Sequence, residues 1–133
     1  LYIACMLVFE CFIRVTELNR LQLYMIDWDR KILHLTANVC LKSGIRSVPI
    51  SADLSELMQA EGYKAMPENY FVFSDNGKPG QNKLTYHSLR LRWKKFRERH
   101  KISNDYKLYG LKHTGNTEFS KIGINAQLLK VLN

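Results

Sequence analysis

The sequence predicts a single α+β domain that is mostly α: a helical core carrying a small three-stranded antiparallel sheet. Three observations predict it. Residues 1–12 are densely apolar, and residues 85–101 repeat their apolar positions at helical spacing, with Leu89, Trp93, Phe96 and His100 on one face. Between them lie short apolar runs of strand length, separated by turn residues. The elements come in blocks, helices then strands then helices, rather than in the strand–helix alternation of a parallel sheet. With 133 residues, 46% of them hydrophobic, the chain can bury one core.

In chain order, residues 1–12 read as a buried helix. Thr16 can cap a second helix reaching about Met25. Ile26-Asp27-Trp28-Asp29 reads as a turn. Residues 31–36 alternate around Ile32, Leu33 and Leu35 and read as a strand. Lys42-Ser43-Gly44 looks like a hairpin tip, and residues 46–50 like the returning strand. Ser51 can cap a helix that stops at Gly62. Residues 70–73 form a third short, dense apolar strand. Asp75-Asn76-Gly77-Lys78-Pro79-Gly80 is a loop. The helix over 85–101 is followed by two more, at about 110–122 and from Asn125 to the end.

The charge narrows the function. Twenty Lys and Arg face twelve Asp and Glu, a formal net charge of +8 with a pI near 9.5. A domain that basic usually meets a polyanion. Seven of the cations, Arg90, Arg92, Lys94, Lys95, Arg97, Arg99 and Lys101, crowd one helix against a single acid, Glu98. A solvated helix face usually mixes signs, so this face is a candidate phosphate-tracking element, with Arg90, Arg92, Lys94, Lys95 and Arg97 foremost. Cys5, Cys11 and Cys40 are scattered, which points away from a disulfide framework and towards a reducing, cytoplasmic compartment. The four histidines form no zinc-like cluster. The opening apolar run is too short to span a bilayer and lacks a basic leader. The chain starts without Met inside that run, so we expect a piece of a longer protein, one domain over 1–133 truncated at both ends.

Three separated segments then carry a family pattern. The first is Phe12-Ile13-Arg14-Val15-Thr16-Glu17-Leu18, followed by Leu21, Leu23 and Ile26-Asp27. The second is Leu41-Lys42-Ser43-Gly44-Ile45-Arg46-Ser47-Val48-Pro49-Ile50. The third is Tyr109-Gly110-Leu111-Lys112-His113-Thr114. Phe71-Val72-Phe73 and Gly77-Lys78-Pro79 sit between the second and third. In order and spacing they resemble the tyrosine recombinase (phage integrase) family over nearly the whole chain: its first arginine box, the hairpin with its catalytic lysine, and its second box, usually His-x-Leu-Arg-His-Thr.

The resemblance implies site-specific DNA recombination or integration, of the kind found in phages and other mobile elements. A tyrosine attacks the scissile phosphate, leaving a 3′-phosphotyrosyl link and a free 5′-hydroxyl. It implies that Arg14 grips the phosphate, that Lys42 protonates the leaving oxygen, and that Glu17 orients the cations from behind. Lys112 and Tyr109 stand where the family has Arg and His, changes also met in integrase-like proteins of gut bacteria. His113 fits a packing or hydrogen-bonding role. The family's third box and nucleophilic tyrosine would lie beyond Asn133, so the fragment alone is expected to be inactive. The implied partners are double-stranded DNA and further recombinase subunits in a tetramer, with an N-terminal DNA-binding domain completing a clamp. No metal, nucleotide or other cofactor is implied, and neither a membrane nor a small-molecule substrate.

The residue types suit that chemistry. The transition state gathers charge on two non-bridging phosphate oxygens, which fixed cations stabilise. Arginine offers a planar fork of two parallel bonds; an ammonium at position 112 offers a point charge. Tyr109, with an ordinary pKa near 10, is a poor base. Two alternatives stay open: a non-catalytic DNA-binding remnant of an integrase, and an unrelated basic nucleic-acid-binding domain in which Arg14, Lys42 and Lys112 would not converge.

Overall fold

The computed structural model describes residues 1–42 and 44–123. Its order is α1 (Tyr2–Glu10), α2 (Val15–Leu18), a 3-10 turn (Leu23–Met25), β1 (Ile26–Asp27), β2 (Ile32–Leu35), β3 (Arg46–Pro49), α3 (Ala52–Ala60), a second 3-10 turn (Tyr63–Ala65), α4 (Tyr86–Arg99) and α5 (Gly110–Lys121). The sheet is antiparallel in the order β1-β2-β3, with Ile26 opposite Leu33 and Leu33 opposite Val48. The mostly helical α+β architecture with a three-stranded antiparallel sheet is therefore present. The helix expected from Asn125 onwards and Ser43 of the hairpin tip lie outside the described residues.

One core joins these elements. Leu7 and Val8 of α1, Leu18 of α2, Leu33 and Leu35 of β2, Val48 of β3 and Met58 of α3 are all essentially inaccessible. Ser51 caps α3 as expected, its hydroxyl oxygen accepting the Leu54 N–H at 3.1 Å. The same hydroxyl donates to Glu10 Oε2 at 2.6 Å, tying α3 to the end of α1. Thr85 caps α4 through the Ser88 N–H.

Four local expectations are corrected. Thr16 caps no helix to Met25: it is exposed inside the four-residue α2, whose cap position is Arg14, and the chain leaves helical geometry before resuming as a 3-10 turn. Of the expected Ile26-Asp27-Trp28-Asp29 turn, only Trp28-Asp29 is one; Ile26-Asp27 is the edge strand β1. Residues 70–73 are not a sheet strand. Phe71 makes only isolated bridges, to Gln22 and Gly80, because the backbone of this segment is satisfied by loops: Leu23 N–H donates to Tyr70 O and Val72 N–H to Leu21 O, both at 2.9 Å. Its apolar density marks burial of Val72 and Phe73, not pairing.

The fourth correction concerns α4. Its inner stripe runs through Leu89, Trp93 and Arg97, the i, i+4, i+8 row, rather than through Phe96 and His100. Arg97 is only 8% exposed and donates to the Ser103 carbonyl at 3.3 Å, where the chain folds back after the helix. Phe96 instead stacks along the helix flank between Trp93 and His100, with ring centroids at 5.6 and 4.6 Å.

Helix α5 lies against α1 and the bend after it. Gly115 makes this possible. A Cβ there would run into the Phe9 carbonyl oxygen and stand 3.4 Å from the Phe12 ring. Phe12 itself takes a left-handed φ of 55°, unusual for a bulky residue, and its ring meets Phe119 edge-on at 5.3 Å. This bend and this close approach bring the start of α5 beside the start of α2.

Candidate functional site

At that junction three cations and a carboxylate gather, with Glu17 and Lys112 buried and Arg14 half-buried. Arg14 occupies the N-cap position of α2 in extended geometry, and its backbone N–H donates to Glu17 Oε2 at 2.9 Å. Glu17 is therefore the N3 partner in one half of a capping box, which fixes the entry to the helix. It is only 3% exposed. A carboxylate so deep needs a counter-charge, and Arg46 of β3 supplies it in fork geometry. Nη1 donates to Oε1 at 3.1 Å and Nη2 to Oε2 at 2.8 Å. Arg46 Nη1 also lies 3.3 Å from the Cys40 sulfur, which accepts from it.

Lys112, in the first turn of α5, completes the group and is buried. Its ammonium is pushed down from the ordinary 10.5 to about 8, first by burial and then by the positive charges of Arg14 and Arg46; Glu17 pulls weakly the other way. Among the described residues no carboxylate forms an ion pair with Lys112. The structure thus brings Arg14, Glu17 and Lys112 together. The cluster carries one more positive than negative charge even if Lys112 is neutral, an arrangement suited to an anion.

The other expected residues lie around it. Lys42 is exposed on the turn between β2 and β3, and its charge is not among those acting on Lys112. Tyr109, at the N-cap position of α5, is half exposed and meets the exposed His113 ring edge-on at 4.9 Å. On α4, Arg90 lies over the Tyr86 ring at 5.6 Å, and Lys94 and Lys95 are exposed. Arg92 turns aside to donate to the Asp75 carbonyl at 3.0 Å. Arg97 stays on the side of Arg90 and Lys94, lining one cavity with them, but is buried there and held by the Ser103 carbonyl. That cavity, of about 590 Å³, runs along α4, lined by Val15, by Tyr109, and by Arg90, Trp93, Lys94 and Arg97 of α4.

Arg46 is the residue the sequence reading missed; it was taken only as the start of a strand. The signal was there in the alternation of β3: Arg46 and Val48 share the inward side, with Arg46 opposite the buried Leu35. An inward arginine requires a buried acid, and Glu17 was the obvious partner. Among the described residues no group of three or more His, Cys, Asp or Glu is placed to hold a metal ion, and no helix is long and apolar enough to cross a membrane.

Comparison with known proteins follows the same lines. The model of the phage integrase family matches residues 1–132. Among solved structures, the Tn1549 transposon integrase in complex with transposon right end DNA superimposes with a TM-score of 0.78 at 15% identity, over 98% of this chain and 49% of that one. The same integrase with a circular intermediate DNA gives 0.74 at 16% identity, over 98% and 49%. XerA recombinase gives 0.76 at 15% identity, over 95% and 45%. The chain spans about half the length of these structures. No curated protein sequence matches it.

Proposed function

Because this chain belongs to the phage integrase family, we propose that it forms the phosphate-gripping part of a tyrosine recombinase catalytic domain. The observation that carries the reading is the convergence of Arg14 and Lys112 on one cationic cluster with Glu17 behind it. An unrelated basic domain would have no reason to bring two helix starts together in this way. Solved integrases with the same fold are complexes with transposon DNA, which supports duplex DNA as the partner.

On this reading Arg14 and Lys112 take the two non-bridging oxygens of one phosphate, and the charge they hold is worth most as the transition state forms. A tyrosine supplied from outside these 133 residues releases its hydroxyl proton to solvent as its oxygen attacks phosphorus. The P–O5′ bond breaks, and Lys42 gives the leaving oxygen its proton. The hairpin carrying Lys42 has to close over the DNA, which agrees with the exposed position of the lysine. Arg90, Lys94 and Lys95 hold the backbone alongside. The intact protein works with other subunits on DNA and resides in the cytoplasm of its host, as part of a mobile element.

The second reading, a DNA-binding remnant without catalysis, draws on one observation: the buried ammonium of Lys112 is partly discharged near pH 8, where an arginine would stay charged.

Fluorescence anisotropy with labelled duplex DNA across a salt series tests the shared part of both readings. The chain should bind with an affinity that falls steeply as salt rises. Arg90→Glu combined with Lys94→Glu should weaken it. Salt-independent binding, or equal binding by the double variant, would remove DNA as the partner.

A further inference from the structure

The proposed function gives Arg46 no task, yet Arg46 is the group that determines what Glu17 can do. At least three bonds meet at the Glu17 carboxylate: two from the Arg46 fork and one from the Arg14 backbone N–H. They engage both oxygens and fix the orientation of the carboxylate. Lys112 is close enough to feel Glu17, yet forms no ion pair with it. Remove one arm of the fork, and the freed oxygen becomes the nearest counter-charge for a buried ammonium that has none.

We propose that Arg46 is a positioning residue: by holding both oxygens of Glu17 it keeps the carboxylate locked on the Arg14 backbone and away from Lys112, leaving the Lys112 ammonium available to a phosphate. The last clause rests on the function proposed above; the hold on Glu17 does not. Arg46 does this from β3, the strand that follows the Lys42 turn.

Arginine is needed at this position because the task is bidentate. Lysine would keep the charge but offer a single point of contact. Arg46→Lys therefore separates geometry from field. With the net charge unchanged, a pure field effect leaves Lys112 where it is, whereas a freed oxygen captures it.

The test is the titration of Lys112 in the DNA-free chain, followed by NMR of lysines labelled at Cε and assigned by Lys112→Arg. The wild-type midpoint should fall at about 8. Arg46→Lys should raise it by roughly one pH unit because a near carboxylate favours the charged form, and Arg46→Met should raise it further because it also removes a repelling positive charge. Arg46→Met together with Glu17→Gln should cancel most of that rise. Circular dichroism reports whether each variant folds, and Arg46→Lys, which keeps the charge, carries the test if Arg46→Met does not fold. A Lys112 midpoint unmoved in folded Arg46→Lys overturns the proposal.

A second arm adds duplex DNA. Capture of Lys112 should lower the slope of log affinity against log salt by about 0.9, the loss of one phosphate contact. A moved midpoint with an unchanged slope supports the hold on Glu17 and removes the phosphate role of Lys112 instead.

Discussion

Replacing Lys112 by Met should make the protein more stable at neutral pH, and the gain should shrink as pH rises. Lys112 is buried, and its pKa is depressed from 10.5 to about 8. The folded state therefore binds its proton less tightly than the unfolded state does. Below pH 8 both states are protonated and the full cost of burying the charge is present. Between about 8 and 10.5 the folded state has lost the proton and the unfolded state has kept it, so stability rises with pH. The depression corresponds to an upper bound of about 3 kcal/mol at pH 7, and to a recovery of about 1.3 kcal/mol between pH 7 and 9. Methionine has a similar length and no charge to bury, so it removes both the cost and its pH dependence. Urea unfolding of the wild type and of Lys112→Met at pH 7, 8 and 9 measures the difference directly. A variant that gains stability at pH 7 and loses about 1 kcal/mol of that advantage by pH 9 agrees with the structure. An advantage that stays constant across this range, or a variant less stable at every pH, refutes the placement of Lys112 beside Arg14 and Arg46.

Other perturbations read other parts of the account. Gly115→Ala drives a Cβ into the Phe9 carbonyl, so α5 must shift; thermal unfolding should show a loss of about 1–3 kcal/mol, and the Lys112 midpoint should climb back towards 10.5. Ser51→Ala removes both the α3 cap and the bond to Glu10, and should cost about 0.5–2 kcal/mol in urea unfolding. Arg97→Glu buries the wrong charge and should unfold the domain or lower its melting temperature sharply, whereas Arg90→Glu should leave the melting temperature within a degree or two and weaken DNA binding alone. In an intact recombinase carrying this segment, Lys112→Arg should keep or raise the rate of phosphotyrosyl adduct formation on a nicked suicide substrate, with less dependence on pH near 8.

Much of this was legible in the sequence for identifiable reasons. Ser51 announces its helix because a side-chain oxygen before an apolar run can satisfy orphan N–H groups. The β2–β3 hairpin shows because alternation and a turn coincide. Residues 16–25 misled because a long apolar pattern suits either one helix or two short turns, and only the pairing of Leu23 and Val72 with the 70–80 loop decides between them. Ile26-Asp27 was too short to register as a strand without its partner.

The site divides the same way. Arg14, Glu17 and Lys112 were visible as a pattern across three distant segments. Their convergence depends on Gly115 and on the left-handed bend at Phe12, which no local pattern reveals. Arg97 was read as one cation among seven, because burial of a guanidinium on a basic helix depends on where the following loop returns. Here it returns to offer the Ser103 carbonyl. Arg46 was overlooked because a charged residue at the start of a strand is usually solvated, and its partner is 29 residues away.

The central claim is that Arg14 and Lys112 hold one phosphate between them, and a double-mutant cycle on DNA affinity tests it most directly. Duplex binding would be measured by anisotropy at one fixed low salt concentration and at pH 7, where Lys112 is charged, for the wild type, Arg14→Ala, Lys112→Ala and the pair. Two cations sharing a phosphate should couple, so that the double variant loses less than the two single losses added, by about 0.5 kcal/mol or more. Losses that simply add, or no loss from either variant, would contradict the account.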